Sequence, residues 1–125
     1  MRLNSTSPCF AVADVGETMR WYEKHLGFTS HPFPEDEPHA FCILVRDQVE
    51  IMLQRLDGYE KPNLYDLRDG GVWDAYIRMQ GVEEFYALVR DHVEVLRPLE
   101  KQSYGDWEFE VRDPNGYVLV FSELK

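Results

Sequence analysis

The sequence predicts an α+β protein built from two tandem β-α-β-β-β modules, and three observations predict it. Strand and helix signals follow one another in the same order twice, on either side of Gly70-Gly71. Shifting the first half by 66 positions lays Asp14 on Gln80, Glu17 on Glu83, Met19 on Phe85 and Tyr22 on Leu88. The same shift lays Val45-Arg46-Asp47 on the identical Val111-Arg112-Asp113, and a shared tripeptide at the helix offset marks a duplication. Finally, 125 residues with 44% hydrophobic and 29% charged content suit one globular domain over residues 1–125. Module one is expected at about 7–56, a linker at 57–70 and module two at about 71–123.

Each element has a local reason. Pro8–Ala13 is short and apolar, with Phe10 and Val12 on one face at the strand period. Asp14 followed by Glu17 has the spacing of a capping box, and Met19, Tyr22 and Leu26 then repeat as one helical stripe. Gly27 closes that helix as a C-cap. Three strands are expected next, at Phe28–Phe33, Ala40–Arg46 and Val49–Leu56; Pro34–Pro38 separates the first two and Asp47-Gln48 turns between the last two. Asp57–Asp69 is polar with Gly and Pro and reads as the linker, though Tyr59, Leu64, Tyr65 and Leu67 give it side chains that need packing. The second module repeats the pattern. A strand at Trp73–Met79 precedes a helix at Glu83–Asp91, with Phe85, Leu88 and His92 at helical spacing. Strands at Val95–Leu99, Trp107–Arg112 and Val118–Ser122 follow, the last two joined by Asp113-Pro114-Asn115-Gly116.

Charge narrows the function classes. Thirteen Lys and Arg against 23 Asp and Glu leave a formal charge of −10, a field that repels nucleic acid backbones and anionic membrane surfaces and attracts a cationic ligand. No apolar run reaches the roughly 20 residues of a membrane span, and the first residues lack a secretory h-region, so the expected location is cytoplasmic. Cys9 and Cys42 form no CxxC and are read as two buried or half-buried thiols.

Alternation assigns the strand faces. The helix-covered side is expected to hold Phe10 and Val12, Phe41, Ile43 and Val45, and Val49, Ile51 and Leu53 in module one. In module two it holds Ala75, Ile77 and Met79, then Trp107, Phe109 and Val111, then Leu119 and Phe121. The opposite side is expected to carry Cys42 and Leu44, Glu50 and Met52, Asp74, Tyr76 and Arg78, Glu108, Glu110 and Arg112, and Val120 and Ser122. Apolar walls with a few convergent charges make a small-molecule site if such a sheet curves around a cavity.

Several motifs carry a family resemblance. Phe10-Ala11-Val12-Ala13-Asp14, Trp21-Tyr22, Leu26-Gly27-Phe28 and Glu108-Phe109-Glu110-Val111-Arg112-Asp113-Pro114-Asn115-Gly116 occur in order over Ser7–Glu123. Over that span the chain resembles the vicinal oxygen chelate superfamily of glyoxalases, extradiol dioxygenases and bleomycin-resistance proteins, the last branch above all. The resemblance implies sheets curved around a cavity, the glyoxalase/bleomycin-resistance fold, and a homodimer. It places the metal ligands of the enzymes on Ser7, Glu50, near Asp74 and on Val120. Val120 cannot ligate and a Ser hydroxyl is a poor ligand, so neither metal nor other cofactor is expected. The function implied is metal-independent sequestration of a bulky basic small molecule, such as a bleomycin-like glycopeptide, in a dimer groove. Its contacts would be Glu50, Met52, Asp74, Tyr76, Tyr104, Glu108 and Glu110, with no catalytic residue. The alternative is a glyoxalase- or dioxygenase-like enzyme lacking a competent metal site, with Glu50 or Asp74 as general base.

Overall fold

A computed structural model describes residues 1–125 and divides into two compact units, Met1–Glu60 and Lys61–Lys125. The division falls inside the expected linker, most of which belongs to the second unit.

In the first unit, strand β1 (Cys9–Val12) leads into helix α1 (Val15–Leu26), then β2 (Thr29–Phe33), β3 (Phe41–Arg46) and β4 (Val49–Arg55). The strands form one open sheet in the order β1-β4-β3-β2, parallel only at β1/β4. Asp14 caps α1 by accepting the Glu17 amide at 3.0 Å. Gly27 ends the helix at φ 71°, a left-handed conformation that costs a side-chain-bearing residue energy. Arg46 Nη1 donates to the Leu26 carbonyl at 2.7 Å, a cation placed where the helix dipole is negative. Val15, Thr18, Tyr22 and Leu26 form the buried stripe, and Met19 is half-buried beside it.

One expected face is inverted. Cys42 and Leu44 are fully buried, whereas Phe41, Ile43 and Val45 are half-buried. The register pairs Cys42 with Leu53 and Leu44 with Ile51, and Cys42 Sγ lies 4.0 Å from Met19 Sδ of α1. Directly opposed residues share a face, so Cys42 and Leu44 join the core under the helix. Phe41, Ile43 and Val45 share the helix-free side with Glu50 and Met52. Both faces of β3 are apolar, so alternation alone could not phase this strand; pairing with β4 does. Cys42 is buried as expected, but Cys9 is exposed.

The second unit opens with a short helix, α2 (Leu64–Leu67), followed by β5 (Ala75–Arg78), α3 (Val82–Val89), β6 (Glu94–Lys101), β7 (Asp106–Arg112) and β8 (Val118–Leu124). Its sheet order, β5-β8-β7-β6, repeats that of the first unit. The 66-residue shift carries Cys9–Val12 onto Ala75–Arg78, the bounds of β5. Here the alternation is correct: Ala75, Ile77, Phe109, Val111, Leu119 and Phe121 pair with one another on the helix side. Phe85 of α3 meets Phe121 edge-on at 5.0 Å, and Phe109 stacks on Phe121 at 5.2 Å.

α3 differs from expectation in its stripe, and from α1 in its cap. Its buried stripe is Val82, Phe85 and Val89, and Leu88 is 67% exposed. Its cap is not local either, since Gly81 at the N-cap has no side chain to offer. Glu123 of β8 accepts the Gly81 and Val82 amides at 3.1 and 3.0 Å, and those bonds hold its carboxyl below the usual range. β6 carries Pro98 and two register shifts, which an edge strand tolerates.

Candidate ligand-binding site

β7 brings the candidate side chains together because its sequence alternates strictly. Trp107, Phe109 and Val111 point toward α3, so Asp106, Glu108, Glu110 and Arg112 all point away from it. Register places Ser122 opposite Glu108 and Val120 opposite Glu110 on β8, and Tyr76 and Arg78 of β5 flank them through Val120 and Ser122. Three carboxylates therefore lie in line on one sheet face, and all three residues are buried. Buried acids persist only with partners, so each must be traced to its own.

Asp106 Oδ2 accepts from Ser122 Oγ at 2.9 Å and from Arg78 Nη1 at 2.8 Å. The Ser122 hydroxyl first, and Arg78 after it, hold the Asp106 carboxyl below the ordinary value, so it stays ionised. Glu108 sits between two phenols: the Tyr76 hydroxyl donates to Oε2, and the Tyr104 hydroxyl donates to Oε1 at 2.5 Å. Tyr76 has a single proton, which goes to Glu108; its oxygen lies 3.1 Å from Ser122 Oγ. Burial, reinforced by the Glu108 carboxylate, raises both phenols, so they remain neutral donors.

Glu110 is different. The Tyr65 hydroxyl on α2 engages its carboxyl, yet Oε2 is buried with no hydrogen-bond partner. Burial pushes this acid up, opposed by Tyr65 and Arg97, and Glu108 adds to the rise. The nearby cations are committed elsewhere. Arg97, cross-strand from Glu110, reaches Glu100 at 3.4 Å, and Arg112 binds Glu94 and Asp66 at 3.2 Å each while its guanidinium lies over the Tyr65 ring. Aromatic surface frames the row: Trp73 lies 5.8 Å from the Tyr76 ring and is half exposed, Arg78 covers another side of that ring, and Tyr104 is largely exposed.

Of the seven residues expected from sequence, the structure brings Tyr76, Tyr104, Glu108 and Glu110 together. Asp74 lies one residue before β5, not in it as expected, and is committed to the fold: its Oδ2 accepts the Val118 amide at 2.8 Å and faces Lys61 Nζ at 3.4 Å. Glu50 and Met52 lie on the helix-free face of the first unit, where Ser7 Oγ donates to Glu50 Oε2 at 2.7 Å. Asp106 was missed because the strand was expected to begin at Trp107, although it continues the same alternation by one step. Ser122 and Tyr65 were missed as partners; an aromatic residue in a polar linker was the one hint for Tyr65.

The first unit also has a cleft of about 480 Å³ at the start of α1, lined by Asp14, Gly16, Glu37, His39, Arg55 and Asp57 among others. Its polar groups pair internally: Arg20 with Glu37 at 2.5 Å, Arg55 with Asp57 at 3.4 Å, and His39 Nδ1 with the Pro34 carbonyl at 2.7 Å. No three His, Cys, Asp or Glu side chains converge closely enough to hold a metal ion, so the donor set does not fit the metal centre of the enzymes the sequence resembles. No helix is long and apolar enough to cross a membrane.

The family model described as the Glyoxalase/Bleomycin resistance protein/Dioxygenase superfamily matches residues 2–121. Among solved structures, TioX from Micromonospora sp. ML1 is 16% identical, with a TM-score of 0.76 over 98% of this chain and 99% of that one. The bleomycin-binding protein from bleomycin-producing Streptomyces verticillus, complexed with copper(II)-bleomycin, is 17% identical, with a TM-score of 0.70 over 97% and 96%. The bleomycin resistance determinant encoded on the transposon Tn5 is 19% identical, with a TM-score of 0.73 over 98% and 99%. At such identities the likeness is one of fold. No curated protein matches the chain.

Proposed function

Because the chain belongs to the glyoxalase/bleomycin resistance protein/dioxygenase superfamily, we propose that it is a metal-independent binding protein that sequesters a bulky, cationic, partly aromatic small molecule. The observation that carries this reading is the row of buried acids on β7, Asp106, Glu108 and Glu110, framed by the rings of Tyr76, Tyr104 and Trp73. Flat rings supply stacking surface, and carboxylates beside them supply charge recognition. None of these groups is arranged as a nucleophile with its base. The two phenols are held neutral and aimed at Glu108, which suits a fixed binding wall better than a proton-transfer site. Glu50 and Met52 are the corresponding surface of the first module. A cytoplasmic homodimer with the ligand in a groove is the assembly we propose, in line with structural neighbours that include a bleomycin-binding protein and a bleomycin resistance determinant.

Calorimetric titration with metal-free bleomycin, with EDTA present throughout, tests the proposal. The expected result is one site per subunit, weakened by Glu108→Gln and by added salt, with a dimer in sedimentation. Absence of heat, or heat only after a divalent metal is restored, overturns it.

A further inference from the structure

The carboxylates of the β7 row are not equivalent, and the difference defines the ligand more narrowly. Glu108 has a phenol on each oxygen. Asp106 is shared between Ser122 and Arg78, and Arg78 also covers one side of Tyr76, so a cation already occupies that end of the row. At the other end Arg112 is neutralised by Glu94 and Asp66. Among buried side-chain oxygens and nitrogens, only Glu110 Oε2 is without a partner. A buried acceptor left empty is costly, and a ligand donor that fills it recovers that cost on binding.

We propose that Glu110 reads the charge of the ligand, and that it selects an amine: Oε2 accepts one N–H of an ammonium group on a slim stem. This deepens the binding-protein reading and rests on it. Two features favour an ammonium over a guanidinium. The planar guanidinium fork is strongest on two free carboxylate oxygens, and one oxygen region of Glu110 is already engaged by the Tyr65 hydroxyl. In addition, Glu110 is only 6% exposed and Oε2 itself is covered, so a ligand reaches it only as the covering side chains part, and a narrow head group needs a smaller opening than a flat one. An ammonium offers single donors in any direction and needs one acceptor.

Binding is then linked to a proton. The groups facing Glu110 are Tyr65 from α2, Arg97 from β6 and Glu108 on its own strand, while β8 presents the neutral Val120. With Arg97 turned to Glu100, the environment favours the protonated carboxyl more than water does. A ligand ammonium needs the carboxylate, so affinity falls as the pH drops toward the carboxyl range and begins to fall above the ordinary Glu value.

The test uses full-length protein and three probes that share one ring: 2-(aminomethyl)naphthalene, its guanidine analogue and the neutral 2-naphthalenemethanol. Dissociation constants are measured by NMR titration at pH 5 and pH 7.5 for wild type, Glu110→Gln, Glu108→Gln and Tyr65→Phe, each checked by its thermal melt. The expected result is that Glu110→Gln weakens the amine by about tenfold to a hundredfold, abolishes its pH dependence and leaves the alcohol unchanged. In wild type the guanidine analogue gains nothing over the amine; Tyr65→Phe, which removes the phenol from the Glu110 carboxyl, shifts preference toward it. Amine binding that survives Glu110→Gln and is lost with Glu108→Gln overturns this inference and leaves the binding-protein reading standing. Failure of wild type to bind any of the three ring probes overturns both.

Discussion

Glu110 can be interrogated without any ligand, through the pH dependence of folding. The perturbation is Glu110→Gln, which keeps shape and removes the titration. Glu110 in the folded chain is held above the ordinary carboxyl value by burial, so the folded state keeps its proton to higher pH than the unfolded state does. Below the unfolded value both states hold the proton, and the neutral acid and the amide differ little. As pH rises, the unfolded chain releases its proton first, the folded state then binds more protons than the unfolded one, and stability falls until the folded carboxyl has also ionised. The size of the fall is set by one buried carboxylate oxygen without a donor, about 1–3 kcal/mol. The glutamine variant lacks this loss. Urea unfolding of both proteins from pH 4 to pH 8 should therefore give nearly coincident midpoints at pH 4. At pH 8 the variant should be ahead by about 1 M urea, taking a slope of ~1–3 kcal/mol per molar. Other titrating groups are common to both chains and cancel in the difference. A difference that stays constant with pH, or a variant that is less stable at pH 8, would refute the claim that Oε2 is an uncompensated acceptor.

Five further substitutions, in three comparisons, probe how the modules position the site. Leu44→Ala should cost about 3–5 kcal/mol and Ile43→Ala clearly less, because Leu44 is fully buried and Ile43 is half-buried on the other face; equal urea shifts would return β3 to the phase that alternation suggests. Asp14→Ala should cost about 1 kcal/mol by removing the α1 cap, whereas Gln80→Ala should change little because Glu123 caps α3; thermal melts of the pair decide it. Gly27→Ala should destabilise by about 1–2 kcal/mol, since a Cβ at φ 71° is strained and would stand 2.8 Å from Arg46 Nη1, the group that caps α1; a neutral melt would refute this.

What could be read from sequence divides along a physical line. β7 was legible because Asp-Trp-Glu-Phe-Glu-Val-Arg leaves one assignment of faces, and that assignment placed Glu108 and Glu110 on the functional side. β3, Phe-Cys-Ile-Leu-Val, is apolar on both sides, so its phase is held only in its pairing with β4 and stayed hidden. The duplication was visible in element order and in the 66-residue offset of its first strand and helix, whereas the shared Val-Arg-Asp is out of phase, Val45 facing away from its helix and Val111 toward it. Even equivalent positions do different work, since Asp14 caps its helix locally while its counterpart Gln80 leaves the task to Glu123, 43 residues later. Long-range partners of this kind have no local signature. Tyr65 is another case, since nothing near a linker tyrosine says that it meets an acid on a strand 45 positions away. Asp74 was expected inside its strand and instead sits just before β5, and an acid on a binding face and an acid holding a backbone amide look the same in one dimension.

In the function we propose, the charge of the chain and the charge of the site have separate tasks. A net charge of −10 acts at long range and draws cations to the surface, an effect on association that salt screens over about 10 Å. It does not choose among them. Choice requires a group for which a wrong ligand leaves an unpaired atom, and on the β7 row Asp106 and Glu108 are already satisfied from within the protein. Under the proposed function, internal pairing of those acids serves selectivity: it keeps a row of carboxylates from acting as a general cation trap and leaves one acceptor to be filled. Burial of that acceptor places its effect on dissociation. If the chain is the sequestering protein we propose, residence time is what it offers its ligand, and under that proposal Glu110 is where the fold sets it.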